Sequence, residues 1–149
     1  MGQIRADAQG SEAQRRAGPR GPEARPLSPH LSIWRFHLTM FASILNRITG
    51  VSLYGGLLIL AAWAVALASG PDGYALVMDL LGSLLGKLVL LGLTFSFLFH
   101  LAGGLRHLVW DVGYGYQPKV ADMTAAAALA FAVVGTAAVW IIAWLTGAL

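Results

Sequence analysis

The chain has 149 residues, of which 57% are hydrophobic and 11% charged, and it contains no cysteine. So apolar a composition belongs in a bilayer rather than in a soluble domain, and the absence of thiols excludes disulfides, iron–sulfur clusters bound by this chain and thiolate metal sites. The net charge of +3 would suit a nucleic-acid partner, but the cations gather ahead of the first apolar run instead of along a folded surface, so no nucleic acid is expected.

Residues 1–25 mix Gly, Pro, Arg, Ala and Glu without apolar periodicity. Such a composition cannot bury enough surface to offset the entropy of ordering, and a disordered polar tail is expected. No apolar stretch follows its basic start, and Asp7, Glu12 and Glu23 speak against an organelle transit peptide. Arg5, Arg15, Arg16, Arg20, Arg25, Arg35 and Arg47 all precede the first apolar run, an excess that predicts an N-terminus on the inner side of the membrane.

Residues 26–47 read as an interfacial segment. Within it Ser43 and Arg47 stand i, i+4 and share one helix face at the inner membrane edge. They offer a hydroxyl and a fixed cation to a small polar headgroup, for which a quinone carbonyl is a fitting guest. The alternative makes Arg47 an interfacial anchor and Ser43 a helix-start residue. From Ile48 to Ala68 the chain is almost continuously apolar, about twenty residues, enough for a first span. Ser69-Gly70-Pro71-Asp72-Gly73 is dense in turn formers. The loop it opens, through Asp79, holds acids but no Lys or Arg, as suits the outer side.

The second span is expected at about 87–106. Its flanking cations, Lys87 and Arg106, are separated by roughly 28 Å at about 1.5 Å per residue, close to the hydrocarbon thickness. Deep inside this run stands His100, only about 9 Å along the axis from the Arg106 end. An ionisable group within a span is costly unless paired, which makes it a candidate functional residue. Gly92, Ser96, His100 and Gly104 recur every fourth residue as one stripe, and the small members leave a flat slot beside the ring where a porphyrin edge would fit. The alternative is a packing stripe whose histidine bonds to a carbonyl of a neighbouring helix.

Asp111 through Lys119 forms a polar and aromatic inner loop, with Tyr114 and Tyr116 suited to the headgroup region. A third span follows at about 121–145, with Trp140 and Trp144 as its outer aromatic belt. The expectation is an all-α integral membrane protein whose residues 48–149 form an anchor of three transmembrane helices, N-terminus inside and C-terminus outside. Its Gly, Ser and Ala faces call for further helices from a partner chain.

Three motifs in order, Arg25-Pro26-Leu27-Ser28-Pro29-His30, then Ser43-Ile44-Leu45-Asn46-Arg47-Ile48-Thr49-Gly50, then His100-Leu101-Ala102-Gly103-Gly104-Leu105-Arg106-His107-Leu108-Val109-Trp110-Asp111, resemble the cytochrome b subunit of succinate dehydrogenase, the larger membrane anchor of respiratory complex II. The resemblance covers residues 25–149. It implies an anchor of succinate:ubiquinone oxidoreductase that docks the flavoprotein and iron–sulfur subunits; the simple polar tail favours a bacterial cytoplasmic membrane over a mitochondrial inner one. His100 falls on the axial ligand of haem b, with the second ligand supplied by the small membrane anchor subunit. Arg106 and His107 fall on the haem propionate side, and Ser43, Arg47 and Asp111 on the ubiquinone site. The chain departs from the pattern at Asn46, where the family has a histidine; asparagine still offers hydrogen bonds but carries no proton at neutral pH. A quinol:fumarate reductase anchor and a haem-free structural or assembly subunit are the competing readings.

Overall fold

A computed structural model describes residues 30–147, and the expected polar tail, residues 1–25, lies outside them. Residues 1–35 and residues 36–149 are two separate units. Of the first, the described part holds a single helical turn, His30–Ile33. The second is built from four helices: α1 (Leu38–Ser69), α2 (Pro71–Gly82), α3 (Leu84–Asp111) and α4 (Pro118–Leu145). Among the described residues α1, α3 and α4 are each long and apolar enough to cross a membrane.

Helix α1 starts ten residues ahead of the expected span, so residues 38–47 of the interfacial segment are the first turns of the same helix. The cause is a buried face that begins early, because Ala42 and Thr49 turn inward on one stripe with Leu38 and Leu45 packed beside them. His37, at the N-cap, makes no side-chain capping bond. Asp122 of α4 replaces it, its Oδ1 accepting from the Thr39 amide at 3.3 Å and, at short range, from Thr39 Oγ1. A carboxylate there satisfies an orphan amide and complements the positive helix end.

The stretch expected as an outer loop through Asp79 is helical instead. Gly70, at φ 106°, ends α1 and turns the chain directly into α2, a backbone conformation that suits glycine. Pro71 at the first helical position and Asp72 in the first turn then start a helix rather than prolong a turn. Ser83 joins α2 to α3 without a loop, its Oγ accepting from the Gly86 amide at 3.1 Å. The corner is so tight that a Cβ on Gly86 would overlap the Leu80 and Leu81 carbonyl oxygens.

Helix α3 lies between α1 and α4 and packs on both. The core is Phe99 of α3 set against Ala42 of α1 and the alanine stripe Ala125, Ala128 and Ala132 of α4. Ala121 and Thr136 extend that stripe at helical spacing. Small residues let the backbones approach closely, the usual device where lipid supplies no hydrophobic drive between helices. Large side chains of α3 seat over glycines of both neighbours, Leu93 over Gly56 and Leu98 over Gly135. Most large apolar residues of the three long helices face outward, surface that lipid or partner helices must cover.

Candidate functional site

His100 is half-buried on the flank of α3 that meets α1. Its Nδ1 lies 3.0 Å from the main-chain carbonyl oxygen of Asn46 and 3.4 Å from Thr49 Oγ1. A carbonyl oxygen only accepts, so Nδ1 carries the proton and Nε2 keeps the lone pair. Nε2 has no hydrogen-bond partner among the described residues. The expected alternative of a histidine bonded to a neighbouring carbonyl is thus met at one ring nitrogen while the other stays available. Metal-bound imidazoles are held in this way, their second N–H donated to a carbonyl or carboxylate that fixes tautomer and orientation.

The slot beside the ring differs from the expected stripe. Ser96 is buried, but Gly92 and Gly104 are exposed and nothing lies near a Cβ built on Gly104. The close approach comes from α1, where a Cβ on Gly50 would stand 3.0 Å from His100 Cε1. The small residues of the stripe open instead a groove of about 330 Å³ lined by Ser52, Gly55, Gly56, Gly92 and Ser96 with Ile59, Val89 and Leu93. His100 is not among the residues that line it. His100 with its free Nε2 fits an axial ligand of haem iron. Among the described residues no three His, Cys, Asp or Glu side chains converge as a metal cluster, and a single axial ligand requires none.

Toward the Arg106 end a separate cavity of about 170 Å³ brings Ser43 and Asn46 of α1 together with Arg106, His107 and Trp110 of α3. Asn46 Oδ1 is buried there without a hydrogen-bond partner, and it presses on Gly103, where an added Cβ would overlap it. Arg106 is drawn toward α4, its Nε donating to Thr124 Oγ1 and its Nη2 to the Ala121 carbonyl, both at 3.1 Å. Its guanidinium stacks 4.7 Å from the Trp110 ring centroid, and His107 meets that ring edge-on at 5.2 Å. Arg47 does not line this cavity; it borders a shallower groove with Ile48, Val51 and Ser52. Asp111 ends α3, exposed, and is likewise absent from the cavity wall. The chemistry on offer is one available imidazole lone pair plus a polar chamber with a hydroxyl, an amide and a cation in its walls.

The family model of the succinate dehydrogenase/fumarate reductase transmembrane subunit matches residues 21–139. The chain belongs to this family. Among the relatives of this succinate dehydrogenase anchor family is the cytochrome b556 subunit of Paracoccus denitrificans, 39% identical over 110 residues, 74% of this chain and 85% of the relative. That of Rickettsia felis is 33% identical over 117 residues, 78% and 91% of the two chains. The mitochondrial cytochrome b560 subunit of Sus scrofa is 38% identical over 96 residues, 61% of this chain and 55% of the porcine one. The resemblance drawn from the three motifs is borne out. Two residues that sequence reasoning missed are Asp122, which caps α1, and Gly50, against which the His100 ring rests. Gly50 was already quoted within a motif, whereas the bond from Thr39 to Asp122 joins residues far apart in sequence and leaves no local pattern.

Proposed function

We propose that this chain is the haem-bearing membrane anchor of a bacterial succinate:ubiquinone oxidoreductase, with the N-terminus on the cytoplasmic side and the soluble flavoprotein and iron–sulfur subunits docked there. One observation carries the haem assignment: His100 gives its Nδ1 proton to the Asn46 carbonyl at 3.0 Å and keeps Nε2 free. The names of the relatives, which are cytochrome b subunits of succinate dehydrogenase, support it. His100 would hold the iron on one face, and the small partner anchor would supply the second axial ligand. When bound, haem b supplies one-electron redox chemistry at a potential set by its ligands and burial.

The polar chamber beside Asn46 supports a headgroup site near the inner edge. Ser43 donates or accepts through its hydroxyl, and Asn46 Oδ1 is an acceptor awaiting a donor. His107 flanks the same chamber, and Arg106 brings the charge that favours an anionic group such as a propionate, its other donors held by α4. Arg47, on the adjoining groove, gives a quinone headgroup a cation from the membrane face and stabilises negative charge developing on its oxygen. Asp111 closes the same end of α3. The reverse reaction, quinol-driven fumarate reduction, has less support, since the curated relatives described above are succinate dehydrogenase subunits.

The test is a reduced-minus-oxidised spectrum of the complex purified from membranes. The parent should show a b-type signal and copurify with a flavin-bearing subunit, and His100→Leu should lose that signal. A b-type spectrum unchanged in His100→Leu would remove the ligand assignment; a parent complex without haem would leave the structural-subunit reading standing.

A further inference from the structure

Resting on the reading of His100 as a haem ligand, we infer that Thr49 and Gly50 are positioning residues that set the donor strength and orientation of that imidazole, and through it the reduction potential of the haem. The Asn46 carbonyl oxygen is shared. It accepts from His100 Nδ1 at 3.0 Å and from Thr49 Oγ1 at 2.9 Å. Both share that oxygen with the helical amide of Gly50, and each donor withdraws electron density that the others use, so the threonine hydroxyl weakens the bond to the imidazole. Thr49 is 2% exposed, so no solvent competes for the same oxygen from its side. Its hydroxyl also lies 3.4 Å from Nδ1, and bonding back to the carbonyl three residues earlier keeps its rotamer fixed.

The strength of the Nδ1–H bond governs the electron density that Nε2 presents to a metal, because outer hydrogen bonds raise ligand basicity. A stronger bond to the carbonyl favours the ferric state, and a weaker one the ferrous. Thr49 therefore holds the potential up. Gly50 acts by shape. A Cβ there would stand 3.0 Å from Cε1, tighter than ordinary van der Waals contact, so any side chain at residue 50 would displace the ring by a few tenths of an ångström. Adjacent residues of α1 thus fix the imidazole electronically and sterically, and the acceptor is main chain, which no substitution at position 46 removes.

The experiment is a redox titration of the b-type absorption band, with paramagnetic resonance of the ferric haem, on the complex purified from membranes. Thr49→Val removes the hydroxyl's claim on that carbonyl and should lower the midpoint potential by an amount equal to about a tenfold change in the oxidised-to-reduced ratio, 59 mV for a one-electron couple. Thr49→Ser keeps the hydroxyl and should return the parental value. Gly50→Ala should shift the ferric resonance or empty the site in a complex that still oxidises succinate with a dye acceptor. Parental potentials in both Thr49→Val and Thr49→Ser overturn the electronic role of Thr49, and an unmoved ferric resonance in Gly50→Ala overturns the steric role. If Thr49→Val fails to assemble, Thr49→Ala reads the same potential, and a parental value there counts equally against the inference. His100→Leu is measured alongside. Retention of the b-type signal in it defeats the ligand reading, whereas its loss together with parental behaviour at positions 49 and 50 defeats the positioning inference alone.

Discussion

The contact between Gly103 and Asn46 yields the sharpest energetic prediction. A Cβ at position 103 would overlap Asn46 Oδ1 and stand 3.1 Å from Asn46 Cγ, and Gly103 is itself buried in the α1–α3 seam. Relief requires the asparagine to rotate or the helices to part, and overpacking of this kind costs about 1–3 kcal/mol. Against that, alanine is favoured over glycine inside a helix by about 1 kcal/mol. Gly103→Ala should therefore destabilise the parent by up to about 2 kcal/mol. In an Asn46→Ala background the obstacle is gone and the same change should be neutral or stabilising. Asn46→Ala alone removes a buried acceptor that lacks a partner, so its own cost should be small, the penalty of an unmet buried group being about 1–3 kcal/mol. The coupling across the cycle should thus reach about 1–3 kcal/mol, within the range for residues in direct contact. The measurement is SDS-driven unfolding of the purified complex in detergent for the four members of the cycle. Additive costs, with no coupling, would refute the packing argument.

Three further outcomes follow from the geometry. Arg47→Lys keeps the charge but loses the planar fork, so it and Ser43→Ala should lower quinone reduction severalfold while succinate oxidation with a dye acceptor persists; loss of both activities would mark an assembly role, and retention of both an interfacial one. A reporter fused after Leu149 should be active on the periplasmic side, and cytoplasmic activity would refute the inside N-terminus across three spans. Gly86→Ala should depress the yield of folded protein more than Gly104→Ala, because the first would strike main-chain oxygens and the second meets nothing; equal yields by size-exclusion chromatography would contradict the tight α2–α3 corner.

The three long helices were legible in the sequence because a span announces itself by an uninterrupted apolar run, a signal that survives ignorance of what packs where. Their ends were not. Leu38 to Arg47 reads as interface because polar residues interrupt it, yet the helix extends through it on the strength of packing by Ala42 and of a cap from Asp122. The 71–82 segment reads as a turn because Pro, Asp and Gly cluster there, and the same Pro and Asp are also the residues that open a helix. At the candidate site, His100 was legible as an imidazole misplaced in lipid, and the family match followed from the motifs around it. Its acceptor was not, because a main-chain carbonyl is the same at every residue. Spacing sets Ser43 and Arg47 one turn apart on a single helix but says nothing about which cavity each side chain borders, and the structure sends them to two.

The middle position of α3 also bears on biosynthesis. Its histidine is gripped by α1, which is made before it, whereas its arginine is gripped by Thr124 and Ala121 of α4, made after it. The imidazole can be oriented as soon as the third helix has inserted, before the chain is complete. Until α4 arrives, Arg106 lacks both hydrogen-bond acceptors and the start of α1 lacks Asp122. A nascent chain halted after α3 would thus present a guanidinium stacked on Trp110 but without its hydrogen-bond acceptors, beside a helix start without its cap. The final helix closes two defects at once, which makes its arrival the step that distinguishes a finished subunit from an abandoned one.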